Sequence, residues 1–199
     1  MNLRLFIDFE GIDKSGKATQ ASLLRNWLIG RGFRVEVISF PDYTTEIGLE
    51  IKAFLDGLKQ FSPEVRQLLY AANRWERKSL IESWLMDGRI VIADRYTPSG
   101  LAYGYANGLP LDWMICIEKG LPQPDVVIVL DISPETSLKR SKGLVDRYES
   151  DLKFLENVRF SYKFLAEKFG WYIVDGERSP LEIFNDVIRI ISKYLDISK

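Results

Sequence analysis

Residues 126–130 read Val-Val-Ile-Val-Leu, with no polar residue to give the run a wet side. A half-exposed strand alternates apolar and polar residues. A run without alternation is covered on both faces, as in a parallel sheet between two layers of helices. Parallel neighbours need long crossovers, so helices must alternate with strands along the chain. The rest of the sequence meets this condition. Leu3–Phe9, Arg34–Phe40, Ile90–Ala93 and Trp171–Val174 read as further strands. Lys17–Arg31 reads as a helix, with Ala21, Leu24, Trp27 and Leu28 on one face and Gly32 as its stop. Glu46–Leu55, Asp112–Lys119, Pro134–Ser141, Asp151–Lys168 and Pro180–Tyr194 read as helices too. A long helix starts at Pro63 behind a Ser62 cap and runs to about Asp87. The stretch with Gly100, Gly104, Gly108 and Pro110 reads as loop-rich. The 199 residues therefore form one three-layer α/β domain, without repeats or linker-like breaks. Ligands of such sheets bind beyond the carboxyl ends of the strands, here just after Phe9, Phe40, Ala93 and Leu130.

Composition narrows the chemistry available there. The chain has no histidine, which removes Ser-His-Asp and Cys-His nucleophile systems and His-based zinc sites. Cys116 is the single cysteine, so an intramolecular disulfide and a Cys-rich metal cluster are both excluded. Its neighbours Met114, Ile115 and Ile117 make it read as a buried core thiol. Lys and Arg number 27 against 28 Asp and Glu, a net charge of −1, which argues against a dedicated duplex-DNA binder. No apolar run reaches membrane-span length, and Met1-Asn2-Leu3-Arg4 leads into a strand pattern rather than a signal peptide. The expectation is a cytoplasmic protein that works with carboxylates, lysines, arginines, backbone amides or a bound metal.

After the first strand comes Gly11-Ile12-Asp13-Lys14-Ser15-Gly16-Lys17-Ala18-Thr19. Gly, four residues, then Gly-Lys is the spacing of a phosphate-binding P-loop, and it stands between a buried strand and a helix. Glycines let successive N–H groups turn inward, the helix N-terminus adds partial positive charge, and Lys17 reaches the β and γ phosphates. The position after Lys17, where a hydroxyl would touch Mg²⁺, holds Ala18. Thr19 follows, but one residue along a helix is a rotation of about 100°, so it is no automatic substitute.

Other strand ends add polar groups. Asp94 can hold the waters of Mg²⁺, and Arg95 beside it faces a second anion or an ion-pair partner. Tyr70 and Arg74 are four apart on the long helix, where a ring that stacks and a planar donor fork suit a nucleobase; packing with a solvated head is the plainer alternative. Trp75 reads as core. Arg140, Lys142 and Arg147 crowd a charged segment at about 141–150, either solvated surface or a lid that closes over a transferring group.

With these motifs in order, the chain resembles the thymidylate kinases, within the nucleoside monophosphate kinase family. The resemblance rests on Phe9-Glu10-Gly11-Ile12-Asp13 with the P-loop, Phe40-Pro41, Leu69-Tyr70-Ala71-Ala72-Asn73-Arg74-Trp75-Glu76, and Asp94-Arg95-Tyr96 with Ser99-Gly100 and Ala102-Tyr103. Gly120-Leu121-Pro122, Pro124-Asp125 and Asp146-Arg147-Tyr148-Glu149 complete it. It implies a parallel sheet in the order 2-3-1-4-5 with a lid, and Mg²⁺-dependent transfer of the ATP γ-phosphoryl group to dTMP. The loop residues Gly11 to Thr19, with Lys17 and an extra cation at Lys14, would cradle ATP, and Arg140 would lie near its adenine. Asp13 would lie near the deoxyribose 3′-OH, with Phe40 in the same acceptor site. Arg95 would grip the acceptor phosphate, Tyr70 would stack on thymine and Arg74 would bond its O4. Tyr103 would crowd the 2′ side of the sugar and Tyr148 would lie near the acceptor. Lys142, Arg147 and Glu149 would belong to the lid, and a homodimer would form on helices beside the sheet. This sequence departs from the pattern at Ala18, and at Tyr43, where many relatives carry an arginine for the acceptor phosphate; Arg66 or another cation would then assist Arg95. A different acceptor such as dUMP, a P-loop NTPase without a metabolite acceptor, and a weakly active nucleotide-binding paralogue are the competing readings.

Overall fold

The computed structural model describes residues 3–141 and 151–195. Five strands form one parallel sheet: β1 (Leu5–Glu10), β2 (Val35–Ser39), β3 (Ile90–Asp94), β4 (Val126–Asp131) and β5 (Tyr172–Asp175). Their order is β2-β3-β1-β4-β5, the expected topology. β1 lies in the centre, with Leu5 opposite Ile90 on β3 and Ile7 opposite Val126 on β4. Every residue of β1 is buried, as its two covered faces require.

The helices lie on both faces. α1 (Lys17–Ile29), α2 (Glu46–Leu55), α3 (Pro63–Glu76) and α4 (Lys78–Met86) come first, followed by α5 (Thr97–Ala106) and α6 (Leu111–Glu118). α7 (Pro134–Arg140), α8 (Leu152–Phe169) and α9 (Pro180–Ile191) complete the described helices. Leu5, Ile7 and Phe9 point to one face, where they pack with Leu24 and Leu28 of α1 and Val187 and Ile191 of α9. On the other face, Phe6 packs with Ile81, Val91 and Tyr96, while Val127 and Val129 pack with Leu155, Val158 and Leu165 of α8. Strand alternation thus feeds one core on the first face and two clusters on the second.

Four expectations are corrected. The long helix from Pro63 to Asp87 is two helices that meet at Arg77. Arg77 donates from Nε to Asp42 Oδ2 at 2.6 Å and from Nη2 to Thr44 Oγ1 at 2.9 Å, and its backbone (φ −99°, ψ 0°) leaves the helical basin. A tertiary tie to the loop after β2 breaks a pattern that local propensity would continue. The loop-rich stretch before Pro110 is largely helix, α5, with Gly100 and Gly104 inside it. Each glycine disfavours a helix by about 1 kcal/mol, but here each admits a close neighbour. A Cβ on Gly104 would stand 2.1 Å from Met114 Sδ, and one on Gly100 2.6 Å from Arg74 Nη2. Cys116 is exposed rather than buried, because α6 turns Met114 and Glu118 inward instead. Trp75 is 38% exposed and not core; it lies against Gly120 and donates from Nε1 to the Ile117 carbonyl at 3.0 Å.

Candidate active site

The loop between β1 and α1 takes the shape its glycines permit. Gly11 has φ +132°, and a Cβ there would meet the Leu130 carbonyl oxygen at 2.4 Å. Gly16, in left-handed conformation, precedes α1 without a side-chain cap, so the first-turn amides are left to another acceptor. Lys17 folds back over the loop, its Nζ donating to the carbonyls of Gly11 (3.2 Å) and Ile12 (3.0 Å). Burial pulls its pKa down to about 8, helped by the Arg95 charge and opposed by Asp13, Asp94 and Glu10. α7 braces the loop from outside. Ser137 Oγ donates to the Asp13 carbonyl at 2.7 Å, and Arg140 donates to the carbonyls of Lys14 (3.3 Å) and Gly176 (3.0 Å).

Arg95 follows β3 in left-handed conformation, φ 69°. A non-glycine residue held there stores roughly 1–3 kcal/mol of strain and needs outside support. Its N–H donates to the Phe9 carbonyl at 3.0 Å. The guanidinium donates from Nη2 to Asp13 Oδ1 at 2.7 Å and from Nη1 to the Gly11 carbonyl (3.0 Å) and Ser99 Oγ (3.1 Å). Burial alone would raise the Asp13 carboxyl, but the Arg95 and Lys17 charges outweigh it and hold Asp13 at about 2. Beneath Arg95, fully buried Glu10 accepts from the Tyr96 and Ser99 N–H groups, both at 2.9 Å, and from the hydroxyls of Ser99 (2.5 Å) and Tyr162 (2.7 Å). Glu10 thereby places a carboxylate at the N-terminus of α5, which has no side-chain cap of its own.

A cavity opens between this cluster, α3 and α5. Asp13, Phe40, Tyr70, Arg74, Arg95 and Tyr103 all line it, so the structure brings these sequence-predicted residues together. Tyr43 and Arg66 line it too. Tyr103 donates from its hydroxyl to Asp13 Oδ2 at 3.3 Å. Arg74 is 2% exposed and forms a two-pronged ion pair with Glu118, Nε to Oε2 at 3.1 Å and Nη2 to Oε1. Burial opposes its charge, and Glu118 more than compensates.

Asp94 is half-buried at the end of β3, and no described side chain or amide binds its carboxylate. It contributes to the field that raises Lys17. Among the described residues no cluster of three or more acidic, His or Cys side chains could hold a metal ion directly. A carboxylate bound through water to Mg²⁺ fits Asp94, since Mg²⁺ keeps several waters and takes few protein ligands. Ala18 and Thr19 are both exposed on α1. Lys142, Arg147, Tyr148 and Glu149 lie outside the described residues. No sequence motif marks Glu118 or Tyr162, and the motifs that contain Glu10 and Ser99 assign them no role. A buried charge at the end of an apolar strand was the signal for Glu10. Nothing local marked Glu118 or Tyr162, whose partners are 44 and 152 residues away.

The chain is similar to known proteins over most of its length. The family model described as thymidylate kinase matches residues 9–187. A probable thymidylate kinase of Pyrococcus horikoshii is 38% identical over 200 residues, covering 96% of this chain and 97% of that one. The thymidylate kinase of Arabidopsis thaliana is 37% identical over 185 residues, 93% of this chain and 70% of that one. Among solved structures, thymidylate kinase from Candida albicans superposes with a TM-score of 0.84 at 31% identity, covering 95% of this chain and 91% of that one.

Proposed function

The chain belongs to the thymidylate kinase family, and from that premise we propose that it phosphorylates dTMP to dTDP with ATP as donor. The observation that carries this reading is the cavity in which Asp13 and Arg95 join the phosphate loop to Tyr70 and Arg74. Two anionic substrates can meet there with a cation between them. Phosphoryl transfer asks for positioning and charge neutralisation rather than a covalent nucleophile, so a chain without histidine is equipped for it.

The loop amides from Gly11 to Thr19 bind the donor phosphates, and Lys17 follows the transferring group, with Lys14 as a second cation. Arg140, anchored on the Lys14 carbonyl, lies near the adenine. Arg95 holds the acceptor phosphate, Asp13 the 3′-hydroxyl, and Tyr103 the 2′ side of the sugar. Tyr70 stacks on the base against a wall that includes Phe40, and Arg74, oriented by Glu118, donates to the base carbonyl. Asp94 would hold Mg²⁺ through water, and the metal would supply charge neutralisation for the donor phosphates. The working unit is a homodimer in the cytoplasm, acting on nucleotides rather than on nucleic acid or membrane. Exposed Leu49 on α2 and Leu68 on α3, two helices that pack together, support a second copy seated on that helix pair.

A coupled assay tests this reading. ADP should accumulate only when dTMP is added. ADP release that ignores dTMP would point to an NTPase without a metabolite acceptor, and the absence of ADP would point to a nucleotide-binding paralogue. Faster turnover of dUMP would move the assignment to that acceptor.

A further inference from the structure

The acceptor cavity holds a polar side chain that none of these roles uses. Gln67 lies on α3 one turn before Tyr70 and two before Arg74, on the same face of the helix. It is 3% exposed and lines the same cavity. Its Nε2 is buried without a hydrogen-bond partner. Buried amide donors are almost always satisfied, so an unsatisfied one at a binding site points to an acceptor brought by a ligand.

α5 fixes how this amide lies. A Cβ on Gly100 would stand 3.1 Å from Gln67 Nε2, and one on Gly104 3.0 Å from Gln67 Oε1. The two glycines are one helical turn apart, so the amide lies along α5 with its nitrogen toward Gly100 and its oxygen toward Gly104. Arg74 Nη2 abuts Gly100 as well, 2.6 Å from the same Cβ position. Donors from Gln67 and Arg74 therefore gather at the Gly100 end, and an acceptor stands at the Gly104 end.

A base edge with a carbonyl beside a ring N–H is complementary to this arrangement. We infer that Gln67 is a base-reading residue: Nε2 donates, together with Arg74, to the 4-carbonyl of a 4-oxopyrimidine, and Oε1 accepts its N3–H. A 4-aminopyrimidine presents a donor to the donors and a bare ring nitrogen to the acceptor. Turning the amide over does not rescue that pairing, because Arg74 can only donate. The inference rests on the proposed dTMP site and extends it from stacking to hydrogen-bond selection of the base.

The test compares dTMP with its N3-methyl derivative, which lacks the ring N–H, on the full chain and on Gln67→Leu. The parent should show a KM at least about tenfold higher for the methylated nucleotide, as expected when a buried acceptor loses its partner. Gln67→Leu should raise the KM for dTMP by about tenfold, leave the KM for ATP within about twofold, and narrow the methyl penalty to about threefold or less. A purely structural role would raise both acceptor KM values in proportion and keep their ratio, and that result overturns the inference. So does a variant indistinguishable from the parent. Gln67→Met, of equal length and without hydrogen-bonding amide atoms, replaces Gln67→Leu if the latter does not fold. If neither folds, the parent decides: equal use of the two nucleotides overturns the inference and rejection of the methylated one supports it. A parent that makes no ADP with dTMP overturns the kinase reading and this inference together. An active parent with an unaltered ratio in the variant overturns the inference alone.

Discussion

Arg95 and Asp13 are joined by a 2.7 Å ion pair that ties the end of β3 to the phosphate loop. The pair holds Arg95 in a left-handed conformation that its side chain alone would not choose, and it keeps Asp13 ionised down to a pH of about 2. A guanidinium placed this way is already oriented before any anion arrives, so little ordering entropy remains to be lost on binding. Loop, strand end and cavity behave as one unit because this pair and the Glu10 network both cross between them.

Lys17→Ala should lower kcat by at least about a hundredfold while the far-UV circular dichroism is unchanged, because a preorganised charge at the transferring group is lost. Activity within about threefold of the parent would refute its role. The pH dependence follows from the depressed pKa. With Lys17 at about 8, the free enzyme loses this charge as pH rises through that value, so kcat/KM for ATP should fall above about pH 8. The stability change has the opposite sign. The unfolded chain keeps its Lys17 proton longer, so the Lys17 contribution to stability rises between about pH 8 and the ordinary lysine value of 10.5.

Tyr70→Ala should raise the KM for dTMP by roughly tenfold to a hundredfold, on the scale of about 1–3 kcal/mol for a base stacked on a ring. The KM for ATP should move little, and steady-state kinetics with each substrate varied in turn checks the contrast. Equal effects on both substrates would make Tyr70 a packing residue. Arg74→Met should weaken dTMP as well, and it should also lower thermal stability, because Glu118 would remain buried with its partner gone.

Mg²⁺ should be required for turnover although Ala18 offers no hydroxyl. Titration of initial rate with Mg²⁺ at fixed ATP should show a much higher requirement for Asp94→Asn than for the parent. Ala18→Ser should lower the requirement or leave it unchanged. An Asp94→Asn titration identical to the parent's would show that the metal is not organised from β3. Undiminished activity in excess chelator would reject the metal-dependent mechanism.

Asp8 sits in the middle of β1 between Ala93 and Val127, fully buried, with neither carboxyl oxygen hydrogen-bonded. Burial, then the neighbouring Glu10, push its pKa well above the usual carboxylate range. Asp8→Val should stabilise the protein by about 1–3 kcal/mol at neutral pH, since an unpaired polar group is replaced by one that suits the core. The sign of the pH effect is definite. A raised folded pKa gives a contribution present below the unfolded value, near 4, and lost as pH climbs toward the folded value. The gap in melting temperature between variant and parent should therefore widen from pH 4 upward. A parent as stable as the variant across that range would refute an unpaired Asp8.

What the sequence alone determined is what local chemistry determines. Val126–Leu130 required a strand covered on two faces, and that required parallel pairing and helical crossovers. Gly11, Gly16 and Lys17 specified a phosphate loop because only that spacing aims backbone amides and a lysine at one point. Helix α2 came out with the expected bounds, since its Thr45 cap and apolar period agree. Tertiary structure decided the rest. Arg77 breaks a helix because Asp42 lies within reach, and Gly100 and Gly104 sit inside one because Arg74, Gln67 and Met114 need the space. Glu118 holds Arg74 from another helix, and Tyr162 and Ser99 converge on Glu10 from different parts of the chain. These are energies of contact between segments far apart in sequence. Propensity and periodicity report only on neighbours within a few residues, so such contacts become visible only when the chain has folded.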